Sequence, residues 1–474
     1  GNNRGINVLG FYRHEFGEGH RLDASVSYNI WRGVNRDRFS DFEEWKGVAA
    51  EDDIMQSQRQ DVKISNWEAS LDYEVPLAGW LSLEAGYKGN FNREDSPAAY
   101  WEELPGGEMR PLDDLYNRFR YNTHINALYI NFSGAAGAFS YSAGLRGEAW
   151  SIRTLSLGYD GVPDVPEFHK NSLALFPSAL FGWKFLGSNS LRLSYSRRIH
   201  RPYGPQLNTF ENISDPSSVH LGNPMILPEY SNTAEMTYTK EWNDHTLSAT
   251  GYVRANNDMI SHVSFLAPMA ANPEVNTMYY GHANVGNLVD AGLELMSRNK
   301  LFHVLTLTTT LNLYNSHLKA WSADYPLHGA DYRIYGARQN RFVWDVRMMA
   351  SVSLPWQMTL QATGRYTSRR VMPQGTLEPN WELEAGVRKM AGPWTISLIC
   401  KDILNSKAEH NILYGNGYTQ SISKWTEGRA LRLGITYTFG HTHRHDHDAD
   451  SHDGHDHEQN VNTGGYGAGH THTH

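Results

Sequence analysis

The chain has 474 residues and a net charge of −9, and aromatic residues make up 12% of it, including 26 Tyr and 14 Trp. Its single cysteine, Cys400, excludes an intrachain disulfide, and no basic patch of the kind that binds nucleic acid is present. No apolar run is long enough for a membrane-spanning helix. A polar chain rich in aromatic residues instead favours a transmembrane β-barrel, which has a polar interior and two aromatic girdles.

An alternation of apolar and polar residues with a period of two recurs from the first residues to Phe439. The segment "DASVSYNI" and the closing "RALRLGITYTF" are examples. About 17 segments fit this pattern, and they begin near residues 4, 20, 60, 79, 117, 138, 171, 189, 228, 245, 277, 300, 334, 356, 380, 393 and 428. Each is long enough to cross a bilayer as a tilted strand.

The connections between these segments alternate between short and long. Turns such as "GEGH", "PLAG" and "MAGP" are short, whereas the long polar connections lie at 31–59, 94–115, 156–169, 199–227, 261–277, 319–333 and 406–427. Outer-membrane barrels show this asymmetry, with short periplasmic turns and long extracellular loops. The sequence therefore predicts an all-β fold, a transmembrane antiparallel β-barrel in the bacterial outer membrane.

Strand direction predicts how much of the barrel is present. The last of the 17 strands should end in the periplasm. Because neighbouring strands are antiparallel, every odd-numbered strand, including the first, then runs downward, from the extracellular side to the periplasm. Single-chain bacterial barrels have an even number of strands and begin upward. We therefore expect residues 1–440 to be an N-terminally incomplete barrel with about 17 of a probable 22 strands, followed by a disordered periplasmic tail at 441–474.

Several motifs appear in a fixed order along the barrel region. They are "FPS" at 176–178, "LSYSRRIHRP" at 193–202, "SDP" at 214–216, "GNPMILPEYS" at 222–231, "KDILNS" at 401–406 and "GRALRLGITYTFG" at 428–440. Over essentially 1–440, the sequence resembles the outer-membrane β-barrel domain of TonB-dependent receptors of the Bacteroidetes type.

This resemblance implies a gated transporter that imports a scarce ligand. Such receptors carry a plug domain inside the barrel and an N-terminal segment that binds the TonB complex. The chain has neither segment, so the expected function is that of a parent protein. The closing strand ending in Phe439 resembles the signal read by the barrel-assembly machinery. The lipid bilayer and lipopolysaccharide are the other expected partners.

The last 34 residues hold ten of the 23 histidines, interleaved with acidic residues. Neutral imidazole suits Zn, Cu, Ni and Fe, and His-rich tracts of this composition indicate metal binding. No cofactor is required, but we expect this flexible, polar segment to bind zinc or another divalent transition metal. The predicted ligands are His441, His443, His445, His447, His452, His455, His457, Asp446, Asp448 and Asp456. A solvated tail with incidental metal affinity and an expression tag are the alternatives.

The predicted extracellular loops contain weaker candidates. Six histidines could join a metal or haem site, although they are scattered in sequence: His200, His220, His262, His282, His328 and His410. The aromatic loops at 39–47 and 98–107 could bind ligand or lipopolysaccharide, or serve as girdle residues.

The sequence predicts no enzyme, because GxSxG, HExxH, P-loop and GxGxxG contexts are absent. The main hypothesis is an energy-coupled receptor that imports a transition metal, zinc first, or a metal complex. A passive porin-like or adhesin-like barrel is the alternative. An outer-membrane protease or lipid hydrolase is a third, disfavoured by the missing motifs.

Overall fold

The computed structural model describes residues 2–41, 44–45, 48–49, 54–104, 106–163, 167–215, 218–268, 276–327, 330–415, 417–425 and 428–439. Nearly all of these residues lie in β-strands, with one short α-helix, α1 (Gly204–Leu207), and one 3-10 turn at Asp113–Leu115. The strands are β1 (Asn2–Gly17), β2 (His20–Asp41), β3 (Glu44–Trp45), β4 (Val48–Ala49), β5 (Ile54–Ala78), β6 (Leu81–Glu103), β7 (Met109–Pro111), β8 (Asn117–Ala136), β9 (Phe139–Leu157), β10 (Phe168–Phe185), β11 (Asn189–His200), β12 (Asn212–Asp215), β13 (Ser218–His220), β14 (Glu229–Trp242), β15 (His245–Asn257), β16 (Ile260–Pro268), β17 (Asn276–Asn284), β18 (Leu288–Leu301), β19 (Leu305–Leu318), β20 (Trp321–Leu327), β21 (Ala330–Gly336), β22 (Gln339–Leu354), β23 (Met358–Thr367), β24 (Arg370–Met372), β25 (Gly375–Leu377), β26 (Asn380–Ala391), β27 (Trp394–Lys401), β28 (Ala408–Gly415), β29 (Tyr418–Trp425) and β30 (Ala430–Tyr437).

Seventeen long strands form one continuous sheet, which is the barrel wall. They pair in the order β1, β2, β5, β6, β8, β9, β10, β11, β14, β15, β18, β19, β22, β23, β26, β27 and β30. Each is antiparallel to the next, and the short β7 pairs with the far end of β6. The predicted all-β fold and the number of strands are confirmed. Among the described residues, no helix has the length and apolar character needed to cross a bilayer.

The two faces of the wall differ in chemistry, as the period of two requires. One face, which we call outward, carries exposed Leu128, Leu173, Met236 and Leu433 on the wall strands β8, β10, β14 and β30, with 53–75% of each residue accessible. Aromatic residues border this apolar band at both ends. Tyr28 packs on Trp67 at the long-connection end, and Trp394 on Tyr437 at the short-turn end. These are the two girdles expected of an outer-membrane barrel.

Eight short turns of two or three residues connect alternate pairs of wall strands in the described part of the chain. Several have two consecutive residues with positive φ, for example Phe302 and His303 at 51° and 59°, and Trp356 and Gln357 at 60° and 56°. Two such residues give the type I′ geometry, whose twist matches that of paired strands. The tightness of these hairpins fixes the register of each strand pair.

Two details of the strand prediction are wrong. Residues 276–284 form β17, a strand within a long connection, and the wall strand begins at Leu288 rather than near 277. A long connection at 368–379 was not predicted. Both errors have one cause, because the long connections contain hairpins with the same two-residue alternation as the wall.

The largest apolar core lies among the long connections rather than in the wall. It joins β13, β16, β17, β20 and β21, and Val219, Tyr279 and Tyr325 at its centre are fully buried. The Tyr325 hydroxyl donates a hydrogen bond to the carbonyl of Leu221 across 3.1 Å. The long connections therefore fold against one another into a packed layer at one end of the wall, which we call the loop layer.

Candidate ligand-binding site in the loop layer

Three of the histidines named from the sequence meet in the loop layer, in the sheet formed by β12, β13, β17 and β16. His262 on β16 lies directly opposite His282 on β17, and their ring centroids are 4.1 Å apart. His220 on β13 stacks on Tyr280 of β17 at 5.2 Å between centroids. We call His220, His262 and His282 the histidine cluster.

Strand alternation places the cluster on one face of this sheet. Val219 and Tyr279 are paired in the parallel register of β13 and β17, and both are fully buried in the apolar core. Their neighbours in sequence, His220 and Tyr280, must then point to the opposite face. His282 lies two residues beyond Tyr280 and shares that face. The apolar core therefore orients the cluster.

Strand β29 contributes the other side of the site. The amide of Gln420 donates a hydrogen bond to the Tyr280 hydroxyl at 2.7 Å, and the Tyr418 hydroxyl donates to the Ser264 carbonyl at 2.8 Å. Gln374 also contacts Ser264: its amide donates to the Ser264 carbonyl at 2.9 Å, and its oxygen accepts from the Ser264 amide at 2.8 Å. Four long connections, 201–228, 258–287, 368–379 and 402–429, thus meet around the cluster.

The environment of the cluster favours neutral imidazoles. The pKa of His282 is lowered to about 3. The largest cause is loss of hydration on burial, and the proximity of His262 and then His220 adds to it. The pKa of His262 is also lowered, first by loss of hydration and then by His220 and Lys424. Neutral imidazole is the form that ligates transition metals. At neutral pH, His262 and His282 therefore offer unprotonated ring nitrogens.

The geometry limits what the cluster could hold. Within the described part of the chain, no group of three His, Cys, Asp or Glu side chains has the arrangement that holds a metal ion. Two adjacent imidazoles, with a third nearby, suit a metal that arrives with ligands of its own. Tyr280, against which His220 is stacked, adds an aromatic surface for such a complex.

The remaining sequence candidates are not brought to this cluster. His410 on β28 forms a hydrogen bond between its Nδ1 and the Ser423 hydroxyl at 2.9 Å, and His200 lies at the end of β11. His328 and all the predicted tail ligands, from His441 to His457 with Asp446, Asp448 and Asp456, lie outside the described residues. Sequence reasoning missed Tyr280, although it alternates with His282. Nothing in the sequence indicates Tyr418, whose partner Ser264 is 154 residues away.

The connection that carries His220 also packs against the inner face of the wall. Leu207 of α1 and Ile226 lie in an apolar cluster with Phe119, Tyr121, Trp150 and Ile152 of β8 and β9. The Tyr121 hydroxyl donates to the carbonyl of Pro202 at 3.0 Å. The motif "GNPMILPEYS" therefore links the histidine cluster to the barrel interior.

A buried ion-pair group secures the start of this connection. Arg201 pairs with Glu148 on the inner face of β9, and Arg146 Nε lies 2.6 Å from the same carboxylate. The Arg201 guanidinium also lies 5.3 Å from the centroid of the Trp150 ring. Two cations on one carboxylate leave this wall position without excess negative charge.

Comparisons with known proteins agree with this architecture. The outer membrane protein beta-barrel family profile matches residues 14–437. Among solved structures, the chain is similar to the ferric yersiniabactin uptake receptor FyuA from Yersinia pestis, with a TM-score of 0.54 and 13% identity over 89% of this chain and 62% of that one. It is also similar to the siderophore receptor PiuA from Acinetobacter baumannii, with a TM-score of 0.60 and 13% identity over 92% and 64%. The copper transporter OprC gives a TM-score of 0.60 and 10% identity over 92% and 65%.

The similarities to these solved structures concern the fold. At 10–13% identity they show a common fold, and the chain spans less than two thirds of the length of each of these structures. No curated protein sequence matches the chain.

Proposed function

The chain belongs to the outer membrane protein beta-barrel family, and on this premise we propose that it forms the barrel of a TonB-dependent receptor that imports a transition metal or a metal complex. Zinc is the first candidate. Similarity in fold to receptors for ferric siderophores and to a copper transporter supports an uptake role. The residues of the loop layer support the choice of cargo.

The histidine cluster is the observation that carries this proposal. His262 and His282 are side by side in a layer of packed long connections, and burial lowers the pKa of both imidazoles. A metal complex entering from the long-connection side would meet these nitrogens before it reached the barrel interior. The connection 201–228 then leads from His220 to the inner wall at Tyr121 and Trp150.

We further propose that residues 441–474 act as a periplasmic chelator. Tyr437 pairs with Trp394, and the amide of Thr438 donates to the carbonyl of Pro393 in a short turn. The chain therefore leaves β30 on the short-turn side, and the short turns of outer-membrane barrels are periplasmic, which supports this role. A His/Asp tail there could receive metal that has passed through the receptor.

Calorimetric titration with zinc separates the two sites. The full parent protein, a variant ending at Phe439 and the double variant His262→Gln/His282→Gln would each be titrated in detergent. We expect roughly micromolar binding at two classes of site, one lost with the tail and one lost in the double variant. His410→Gln is the matched control, because that exposed imidazole lies outside the cluster.

Each outcome has a distinct meaning. Retention of the loop-layer binding in the double variant would remove the metal-capture role of the cluster. Retention of all binding after truncation would remove the chelator role of the tail while leaving the receptor proposal standing. Copper and nickel titrations under the same conditions rank the metals.

A further inference from the structure

An aromatic row marks the upper edge of the outward apolar band on β2, β5, β6 and β8. Tyr28 lies opposite Trp67, Trp67 opposite Phe91, and Phe91 opposite His124. The ring centroids of Tyr28 and Trp67 are 4.4 Å apart, and those of Phe91 and His124 are 5.6 Å apart. In an outer-membrane barrel such a row lies at the boundary between hydrocarbon and headgroups.

A row of cations crosses the same face above this boundary. Arg4 lies opposite Arg32, and Arg32 lies opposite Lys63, on the adjacent strands β1, β2 and β5. Arg36 and Arg59 form another opposed pair of like charges farther along β2 and β5. Like charges directly opposite each other on one face destabilise a sheet. Their repetition on neighbouring strands indicates an anionic ligand that is external to the chain.

The height of the row fits a headgroup. Arg32 follows Tyr28 by four residues on the outward face of β2, which is about 13 Å along a strand. With the usual strand tilt this is about 10 Å above the aromatic row. Arginine and lysine side chains are long enough to extend back over part of that distance, toward the aromatic row. Arg4, Arg32 and Lys63 therefore reach the level where phosphate groups of outer-leaflet glycolipids lie.

The nearby carboxylates on this face are paired with other cations. Asp61 pairs with Arg59, whose Nε lies 3.0 Å from its Oδ2. Asp95 is the acidic residue opposite Lys63, but both of its oxygens accept hydrogen bonds from Arg118, at 2.8 and 2.6 Å. Within the described part of the chain, Arg4, Arg32 and Lys63 take part in no ion pair. All three residues are exposed.

We propose that Arg4, Arg32 and Lys63 bind the phosphate groups of lipopolysaccharide, through its lipid A, on the outward face of β1, β2 and β5. The phosphates would be bridged between adjacent strands, because each cation has a like-charged neighbour one strand away. The acyl chains would lie against the apolar band below the aromatic row. Charge-assisted hydrogen bonds between arginine and phosphate give such a site specificity as well as affinity.

The test measures how much lipid A the full parent protein retains after detergent washing, by mass spectrometry of the purified complex. In Arg32→Gln/Lys63→Gln we expect retention to fall about tenfold, the size expected when charge-assisted contacts are lost. The matched control is Lys240→Gln/Lys389→Gln. These two lysines are also exposed on the outward face, but they lie near the short-turn ends of β14 and β26. The control should retain lipid A as the wild type does.

Competition distinguishes the source of the phosphate. The wild type should retain dephosphorylated lipid A only as weakly as Arg32→Gln/Lys63→Gln retains intact lipid A. Inorganic phosphate and phosphatidylglycerol vesicles should each fail to displace bound lipid A at equal phosphate concentration. Displacement by either, or equal retention in Arg32→Gln/Lys63→Gln and wild type, would overturn the proposal.

Heat denaturation gives a readout that a purely structural role would not move. Without lipid A, the double variant should unfold at the same temperature as the wild type or higher, because charge repulsion is removed. With lipid A, the wild type should be the more stable protein. A variant that is less stable under both conditions would assign these cations a structural role and contradict the proposal.

Discussion

His262 and His282 lie directly opposite each other on β16 and β17, with ring centroids 4.1 Å apart and ring planes inclined by 46°. Two adjacent imidazoles would repel each other if both were protonated. The pKa of His282 is instead lowered to about 3, so its imidazole remains uncharged across the physiological range, and the pKa of His262 is also lowered. The loop layer therefore contains two adjacent imidazoles that can act as nitrogen donors.

The first prediction concerns growth under metal limitation. Cells that depend on this receptor should grow more slowly with His262→Gln/His282→Gln, because the captured metal loses both nitrogen donors. His410→Gln should leave growth unchanged, since the Nδ1 of His410 bonds Ser423 on another hairpin. Growth rate over a series of chelator concentrations is the measurement. Equal growth of all three strains at equal receptor abundance would contradict the role of the pair.

A second prediction tests whether the loop layer is a packed unit. A methyl group added at Gly281 would lie 2.3 Å from the Tyr325 hydroxyl oxygen, whereas one added at Gly251 would meet nothing within 4 Å. Gly281→Ala should therefore destabilise the layer by about 1–3 kcal/mol. Gly251→Ala is the control in the wall. Limited proteolysis should cleave the long connections faster in Gly281→Ala alone, and equal rates would contradict this packing.

The third prediction concerns the link between two long connections. Gln374 is buried and exchanges two hydrogen bonds with the backbone of Ser264. In Gln374→Leu the Ser264 amide loses its partner, which costs about 1–3 kcal/mol. Amide hydrogen exchange in β16 should accelerate. Gln361→Leu is the control, because Gln361 is exposed on a wall strand, and acceleration in both variants would point to a nonspecific effect.

A fourth prediction addresses the ion pair that secures the connection 201–228 to the wall. Arg201→Gln leaves Glu148 with Arg146 as its remaining cation, and Glu148→Gln leaves Arg201 unpaired. Breaking a buried pair costs up to about 3–5 kcal/mol, and both side chains here are largely buried. The double variant should recover part of the loss. Thermal unfolding of all four proteins gives the coupling energy, and strictly additive effects would show that the two residues do not interact.

The wall was predictable because its pattern is local. The alternation from Leu431 to Phe439 predicts one strand, and a turn such as "MAGP" predicts where two neighbouring strands are connected. The sequence alone therefore predicts the strands and their number. The loop layer was not predictable in the same way. Residues 276–284 alternate as a wall strand does, and only the packing of Tyr279 against distant Val219 and Phe265 assigns them to the loops.

The candidate site illustrates the same limit. His220, His262 and His282 were named individually, but 62 residues of chain separate the first from the last, and their proximity depends on a parallel pairing of β13 with β17. Parallel pairing inside a loop leaves no local signal. The tail was identified from composition alone, and its metal binding remains a prediction.

The most direct measurement of the central claim is uptake of radioactive zinc by whole cells that carry the parent receptor, with and without a protonophore. We predict accumulation that depends on the receptor, stops when the proton gradient is collapsed, and falls in His262→Gln/His282→Gln. Zinc entry that continues unchanged after the gradient is collapsed would identify a passive barrel, and uptake independent of the receptor would contradict the account.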